Sequence, residues 1–229
     1  FRLLTGGSIS VMPRQQTLEA SIAWSFDLLG ADEQLLLQRL SVFVGGFTLE
    51  AAAGVCADAL LDGYHVFDRL DQLVGHSLVQ ADDTSIGARF RLLETIRQFS
   101  TRLLAADPNE AARTIEAHAR WFATSLVSQR AVLRSGRAGD FVKALRADDA
   151  NTYSACNWLI ANDPQLAARL IDAISPMIPL ETARIIRYHE LSRELTTIVT
   201  GDSLAIAWHV HGITGLYVGG TDEGLASLT

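Results

Sequence analysis

Apolar residues recur three or four positions apart along nearly the whole chain, and the period changes only once, between Ser77 and Leu93. Spacing of that kind marks helices that each bury one face, whereas a short run of alternation around a polar turn marks a pair of strands. The pattern confines the chain to helical packing with one short β-hairpin. Its 229 residues suit one or two domains, and a 48% hydrophobic content supplies a sizeable core.

The first helical period begins at Thr17, a side chain suited to N-capping, with Leu18, Ile22, Phe26 and Leu29 on one face and Gly30 at its end. In ADEQLLLQRLSVFVGG a second stripe consists of Leu36, Leu37, Leu40 and Phe43 or Val44, with Gly45-Gly46 as its stop. Thr48 is placed to cap a third short helix. Glu50 and Glu19 each fall in an expected first turn, where negative charge is favourable. Three helices thus precede any strand, and a fourth runs from Asp62 to Leu73 on Val66, Leu70 and Leu73.

SLVQADDTSIGARFRLL then reads as two strands around a polar turn from Asp82 to Gly87. Helix resumes at Glu94, with Ile96, Phe99 and Leu103 inward. Helices, a hairpin and another helix make a winged-helix arrangement. Ala105 to Glu110, containing Asp107-Pro108, is the expected domain boundary. Beyond it AARTIEAHARWFATSLVSQ, DDANTYSACNWLIAND, PQLAARLIDAI and RIIRYHELSRELTTIV are helical between short Gly, Asp or Pro breaks, as in stacked antiparallel helices. In AWHVHGITGLYVGGTDEGLASL, Gly212 and Gly224 lie twelve apart, with Leu228 four later and a turn at Gly219-Gly220. That segment resembles a tetratricopeptide unit, although its aromatic positions are weak.

No run approaches the roughly 18 to 20 apolar residues that span a bilayer, and Phe1 opens no charged leader with an apolar core. A cytoplasmic protein without a membrane partner is expected. Cys56 and Cys156, in apolar helical settings, read as buried thiols of a reducing compartment. The only lysine, Lys143, sits in FVKALR without the glycines of a phosphate loop, so no Walker A motif is present. Starting at Phe1 and running helical to Thr229, the chain reads as a segment of a longer protein.

Catalytic constellations are not evident, and the expectation is a non-enzymatic segment. Cys56 with His65 or His76 lacks any orienting motif. His209 and His211, two apart, point to different helix faces, unlike a metal-binding i, i+4 pair. His118 is expected to cap or pack at a helix surface. No Gly-x-Ser-x-Gly elbow or outstanding carboxylate pair occurs. DNA contact is argued against by charge. DGYHVFDRLDQLVGH sets Asp62, Asp68 and Asp71 against Arg69, the wing tip is Asp82-Asp83, and residues 1 to 105 hold eight arginines against twelve acidic residues.

Within the run from Pro13 to Cys56, Pro13, Arg14, Gln16, Thr17 and Leu18 are followed in register by Trp24 to Leu29 and by Arg39, Leu40, Val42, Phe43, Gly45 and Gly46. With ARFRLLETIRQFS from Ala88 to Ser100, these residues resemble the winged-helix segment of bacterial STAND-type regulators, the LuxR-family and AfsR-like multidomain ATPases. DDANTYSACNWLIANDPQLAARL is similar to the helix that opens the repeat region there. The resemblance implies a mainly α fold: the end of an upstream nucleotide-binding region at 1–12, a winged helix at 13–105, and a tetratricopeptide-like array at 106–229, cut short at its C-terminus.

What the resemblance implies about function is a relay. ATP or ADP would be held elsewhere in the parent and no cofactor in this chain. The upstream nucleotide-binding domain would be one partner, and an unknown protein or small-molecule inducer on the repeats another. Output would come from a DNA-binding or cyclase domain outside the segment. Phe90 to Arg97 occupies the place of the Met-His-Asp motif, with Leu93 for the phosphate-sensing histidine and Glu94 for the aspartate. Leucine cannot donate to phosphate, so that contact is absent or falls to Arg91 or Arg97. The favoured alternative puts Leu92 and Leu93 in the core, Glu94 in a first turn and the arginines in solvent. Competing functions are a nucleotide-independent protein-interaction module and a direct DNA-binding winged helix.

Overall fold

The computed structural model describes residues 11–59, 61–85, 87–129, 138–176 and 182–218, and the chain divides into two compact units after Thr114. The first holds α1 (Val11–Asp27), α2 (Ala31–Leu40), β1 (Gly46–Phe47), α3 (Leu49–Cys56) and α4 (Gly63–Gly75). It continues through β2 (Gln80–Thr84), β3 (Gly87–Arg91), α5 (Glu94–Ala105) and the start of α6 (Pro108–Gln129). The sheet is antiparallel in the order β1-β3-β2. Gly46 pairs with Arg91 on one side of β3 and Gln80 with Arg91 on the other. The fold is mainly helical, a small winged-helix sheet followed by a helical array with repeat-like packing.

The strand β1 lies between the second and third helices, where the sequence pattern placed none. Two residues are too few to show alternation. They become a strand because Phe47 enters the core, stacking on Phe43 at 4.5 Å and lying 6.1 Å from Phe90. Gly45 admits the chain to β1 with a φ of 95°, a region L side chains rarely adopt. The helix α2 has already ended at Leu40, in a tight turn where Val42 and Phe43 donate to Arg39 and Leu40 carbonyls. Leu36, Leu37, Leu40 and Phe43 are fully buried, and Val44 is exposed.

Other boundaries also move. Since α1 already runs from Val11, Thr17 is interior to it, its carbonyl accepting from Ser21 Oγ at 3.0 Å. Glu19 is likewise mid-helix and pairs with Arg102 of α5. Ile22, Phe26 and Leu29 are buried but Leu18 is exposed. Phe26 meets Phe99 edge-on at 5.6 Å. The buried face of α5 is Ile96, Ser100 and Leu104, with Phe99 and Leu103 at its margin. In the hairpin, Asp82 and Asp83 pair with Arg89 and Ala88 as strand residues, so the expected turn begins later. Thr48 does cap α3, accepting from Ala51 N–H at 3.2 Å.

The second unit continues α6 from Ile115 and adds α7 (Ala138–Ala147), α8 (Asp149–Asn162), α9 (Pro164–Ile174), α10 (Thr182–Ile198) and α11 (Asp202–Val218). Asp163 caps α9 by accepting from Leu166 N–H at 3.2 Å, with Pro164 in the first turn where its missing donor costs nothing. Ala167, Leu170, Ile171 and Ile174 of α9, Tyr188 and Leu195 of α10 and Val210 of α11 form the core. Gly212 and Gly215 are buried, small residues that let helix backbones approach. The expected turn at Gly219-Gly220, and Gly224 and Leu228, lie outside the described residues.

His118 corrects its surface expectation. It is buried, 3.3 Å by Nε2 from Asn151 Oδ1 and against the Phe122 ring, and burial pushes its pKa down to about 4. His211 is buried and stacks on His189 at 4.3 Å while His209 is exposed, so the two do face differently. None of the described helices is long and apolar enough to cross a membrane.

Candidate nucleic-acid interface

Two helices joined by a turn and followed by a hairpin make the arrangement with which helix-turn-helix proteins meet nucleic acid. In α4, Val66, Leu70 and Leu73 recur at helical spacing and are buried, which orients the helix. Asp62 starts it, its Oδ1 accepting from Tyr64 and His65 N–H at 3.0 and 2.9 Å. The bond from the His65 amide, more than that from Tyr64, holds the Asp62 carboxyl below its usual pKa. Ser77 closes α4 in the left-handed region at φ 60°, and Leu78 N–H reaches back to Leu73 O at 3.0 Å.

The turn between α3 and α4 is organised by a buried arginine of α2. Arg39 of α2 is 0% exposed, and its three nitrogens donate to three segments. Nε binds Glu110 Oε1 of α6, one terminal nitrogen binds Cys56 O at the end of α3, and the other binds Asp58 Oδ2 in the turn, each at 2.6 Å. Arg113 adds a bond to Glu110 at 2.6 Å. Burial works against the Arg39 charge, yet the bonds to Asp58 and Glu110 outweigh it and hold its pKa above the usual value. Burial would raise Glu110 in turn, but the bonds from Arg113 and Arg39 bring it below the carboxylate norm. A charged residue between Leu37 and Leu40 in an apolar stripe was the available signal.

Outward, α4 shows Tyr64, 74% exposed, and Phe67, 51% exposed, with His65, Asp71 and Gln72 also exposed. Gln72 Oε1 accepts from Arg69 at 2.8 Å. Asp68 and Asp71 make this face acidic. On the wing, Arg91 Nε donates to Asp82 at 3.0 Å, so one positive charge there is already neutralised.

The residues placed at the Met-His-Asp position are partly brought together. Glu94 accepts from Arg97 at 2.8 and 2.9 Å and from Gln98 at 2.8 Å. The Arg97 bond is the first cause that holds Glu94 down at about 2. Leu93 precedes α5 in an extended conformation and is 44% exposed, not core as the alternative held. Arg91 is turned to Asp82 across the hairpin, away from the Glu94–Arg97 pair in hydrogen bonding. Cys56 is a free, buried thiol pushed up to about 12 by burial, and Cys156 is free and raised likewise. Among the described residues, no group of three or more His, Cys, Asp or Glu could hold a metal ion.

Residues 29–105 match the family model described as a winged helix-turn-helix domain. A protein of Mycobacterium tuberculosis described as a "Putative HTH-type transcriptional regulator" is 41% identical over 180 residues, covering 74% of this chain and 20% of its own length. A Mycobacterium bovis protein of the same description matches equally. An uncharacterized Mycobacterium tuberculosis protein is 38% identical over 106 residues, 46% of this chain and 27% of its own. The chain thus spans about a fifth of the regulators it matches. No solved structure matches it. The chain carries a winged-helix domain homologous to part of bacterial HTH-type transcriptional regulators.

These matches overturn the expectation that the segment makes no DNA contact. Net charge was the wrong discriminator, because it reports the phosphate-binding contribution and not the helix-turn-helix geometry that reads base edges. The expected upstream nucleotide-binding partner is also set aside, since the matches are to HTH-type regulators and supply no such domain.

Proposed function

We propose that this chain is the winged-helix and helical-array portion of an HTH-type transcriptional regulator, without a catalytic role, and that α4 and the β2–β3 wing meet duplex DNA. The observation that carries this reading is the capped α3–turn–α4 pair with its outer face left exposed. Tyr64 and Phe67 suit apolar contact with thymine methyls, Gln72 suits an adenine edge, and Asp68 or Asp71 can accept from a cytosine amino group. Few phosphates are neutralised by such a face, so affinity comes mainly from bases and varies little with salt.

The test is selection of duplexes from a randomised pool with the 229-residue chain, followed by anisotropy titration at several salt concentrations. Sequence-selective binding with a shallow salt slope is expected, weakened roughly tenfold by Tyr64→Ala or Phe67→Ala. Absence of any selected duplex sinks the reading. A second reading, a protein-interaction module, is favoured by the same exposed aromatics between carboxylates; a protein partner lost on Phe67→Ala, with no duplex bound, would select it.

The division of roles proposed is DNA contact in 13–105 and reception of a protein or small-molecule signal in 106–229. Nucleotide control of the longer protein is a finer proposal, supported by the resemblance of residues 13–56 and 88–100 to STAND-type regulators. Arg91 and Arg97 would then be the anion contacts, each exchanging its present carboxylate for phosphate, with Leu93 and Glu94 shaping the approach. ADP affinity of the full-length protein that is indifferent to Arg91→Gln and Arg97→Gln counts against it.

A further inference from the structure

We propose that Arg39 is a connector through which α6 sets the position of α4, so that displacement of α6 re-seats the helix face assigned to DNA. The inference rests on the proposed function above for what that face does, and on geometry for the connection itself.

A continuous set of bonds runs from α6 to the first turn of α4. Glu110 of α6 accepts from Arg39 Nε at 2.6 Å, and the same guanidinium holds Cys56 O and Asp58 Oδ2 at 2.6 Å. Asp58 is the hinge of the turn: its Oδ1 accepts from Leu61 N–H and its own N–H donates to Leu61 O, both at 2.9 Å. Leu61 is fully buried, and the next residue, Asp62, caps α4. Arg113, also on α6, approaches Asp58 at 3.8 Å while binding Glu110, so two guanidinia face two carboxylates.

Burial is what makes this arrangement transmit. An exposed arginine would exchange a lost carboxylate for water, but Arg39 has no solvent to turn to. If Glu110 moves, the guanidinium follows it or leans wholly on Asp58 and Cys56 O, and either outcome shifts the turn that starts α4. The helix bearing Glu110 runs on to Gln129, past the division at Thr114. The matched winged-helix family ends at residue 105, short of Glu110, so the family's own boundary omits this contact.

The experiment compares the full 229-residue chain with Glu110→Gln and Glu110→Asp by deuterium exchange of α4 and maleimide labelling of Cys56. Exchange in α5 and labelling of the equally buried Cys156 serve as internal references. Glu110→Gln keeps shape but loses charge. It is expected to speed α4 exchange and Cys56 labelling roughly tenfold, with α5 and Cys156 unchanged. Glu110→Asp, with charge kept on a shorter stem, gives a smaller rise in both, and carries the test alone if Glu110→Gln does not fold. Unchanged α4 exchange, or an equal rise in α5, overturns the connector. Duplex affinity measured on the same proteins separates the two claims: faster α4 exchange with no duplex bound by any form leaves the connector standing and removes the DNA reading.

Discussion

At the residue scale, burial decides which charges matter. Arg39 and His118 are both buried, and they meet that condition in opposite ways. Arg39 stays charged because Asp58, Glu110 and a carbonyl take its donors, whereas His118, facing Asn151 and Phe122, stays neutral down to about 4. A histidine whose folded pKa lies below its ordinary 6.5 binds its proton more readily unfolded. Its stabilising contribution is complete above about 6.5 and lost progressively as pH falls towards about 4. Urea titrations through that window should show the slope of stability against pH reduced in His118→Gln, by up to about 1.4 kcal/mol per pH unit. An unaltered slope would place the proton elsewhere. The interior place of His118 was not legible from its neighbours, because a lone histidine reads as a surface group until the helices that cover it are in place; Arg39 gave one sign, its position between Leu37 and Leu40.

At the element scale, most of the longer helices declared themselves, whereas α7 and the short or margin features did not. Leu36, Leu37 and Leu40, or Val66, Leu70 and Leu73, repeat over enough residues to reveal a face. The strand β1 has two residues and no period of its own; pairing with β3 creates it. The end of α4 shows a similar limit, since Ser77 gives no sequence sign of its φ of 60°. Left-handed backbone burdens a residue with a Cβ. Ser77→Gly should therefore raise the stability of the first unit by roughly 0.5–1 kcal/mol, read as a higher urea midpoint with unchanged slope. A lower midpoint would mean that the serine side chain contributes more than its backbone costs.

At the scale of the whole molecule, the winged helix does not stop where its sequence family stops. Glu110 lies beyond Ala105, yet it is one of the acceptors that neutralise Arg39, the most deeply buried charge among the described residues of the first unit. A fragment ending at Ala105 should be less stable than one ending at Thr114 by on the order of 2 kcal/mol, measured by urea unfolding. Equal midpoints would show that Asp58 and Cys56 O suffice. The candidate interface was legible in part. Its helix from Asp62 and its wing were visible as pattern, the capping role of Asp62 only in the structure, and their acidic charge bears on phosphate contact and not on the reading of base edges.

Sequence alone determined that this chain is helical with one hairpin, where most of its longer helices lie, and which residues line most of the buried faces of the first unit's helices. These properties repeat locally, so a few turns of chain suffice to express them. Only the tertiary structure decided that residues 39, 56, 58 and 110 form one bonded group, that His118 is interior, and that Tyr64 and Phe67 stay outside. Such groups join positions far apart in the chain through bonds whose strength depends on excluding water. No spacing encodes that exclusion; it exists only once the helices have packed.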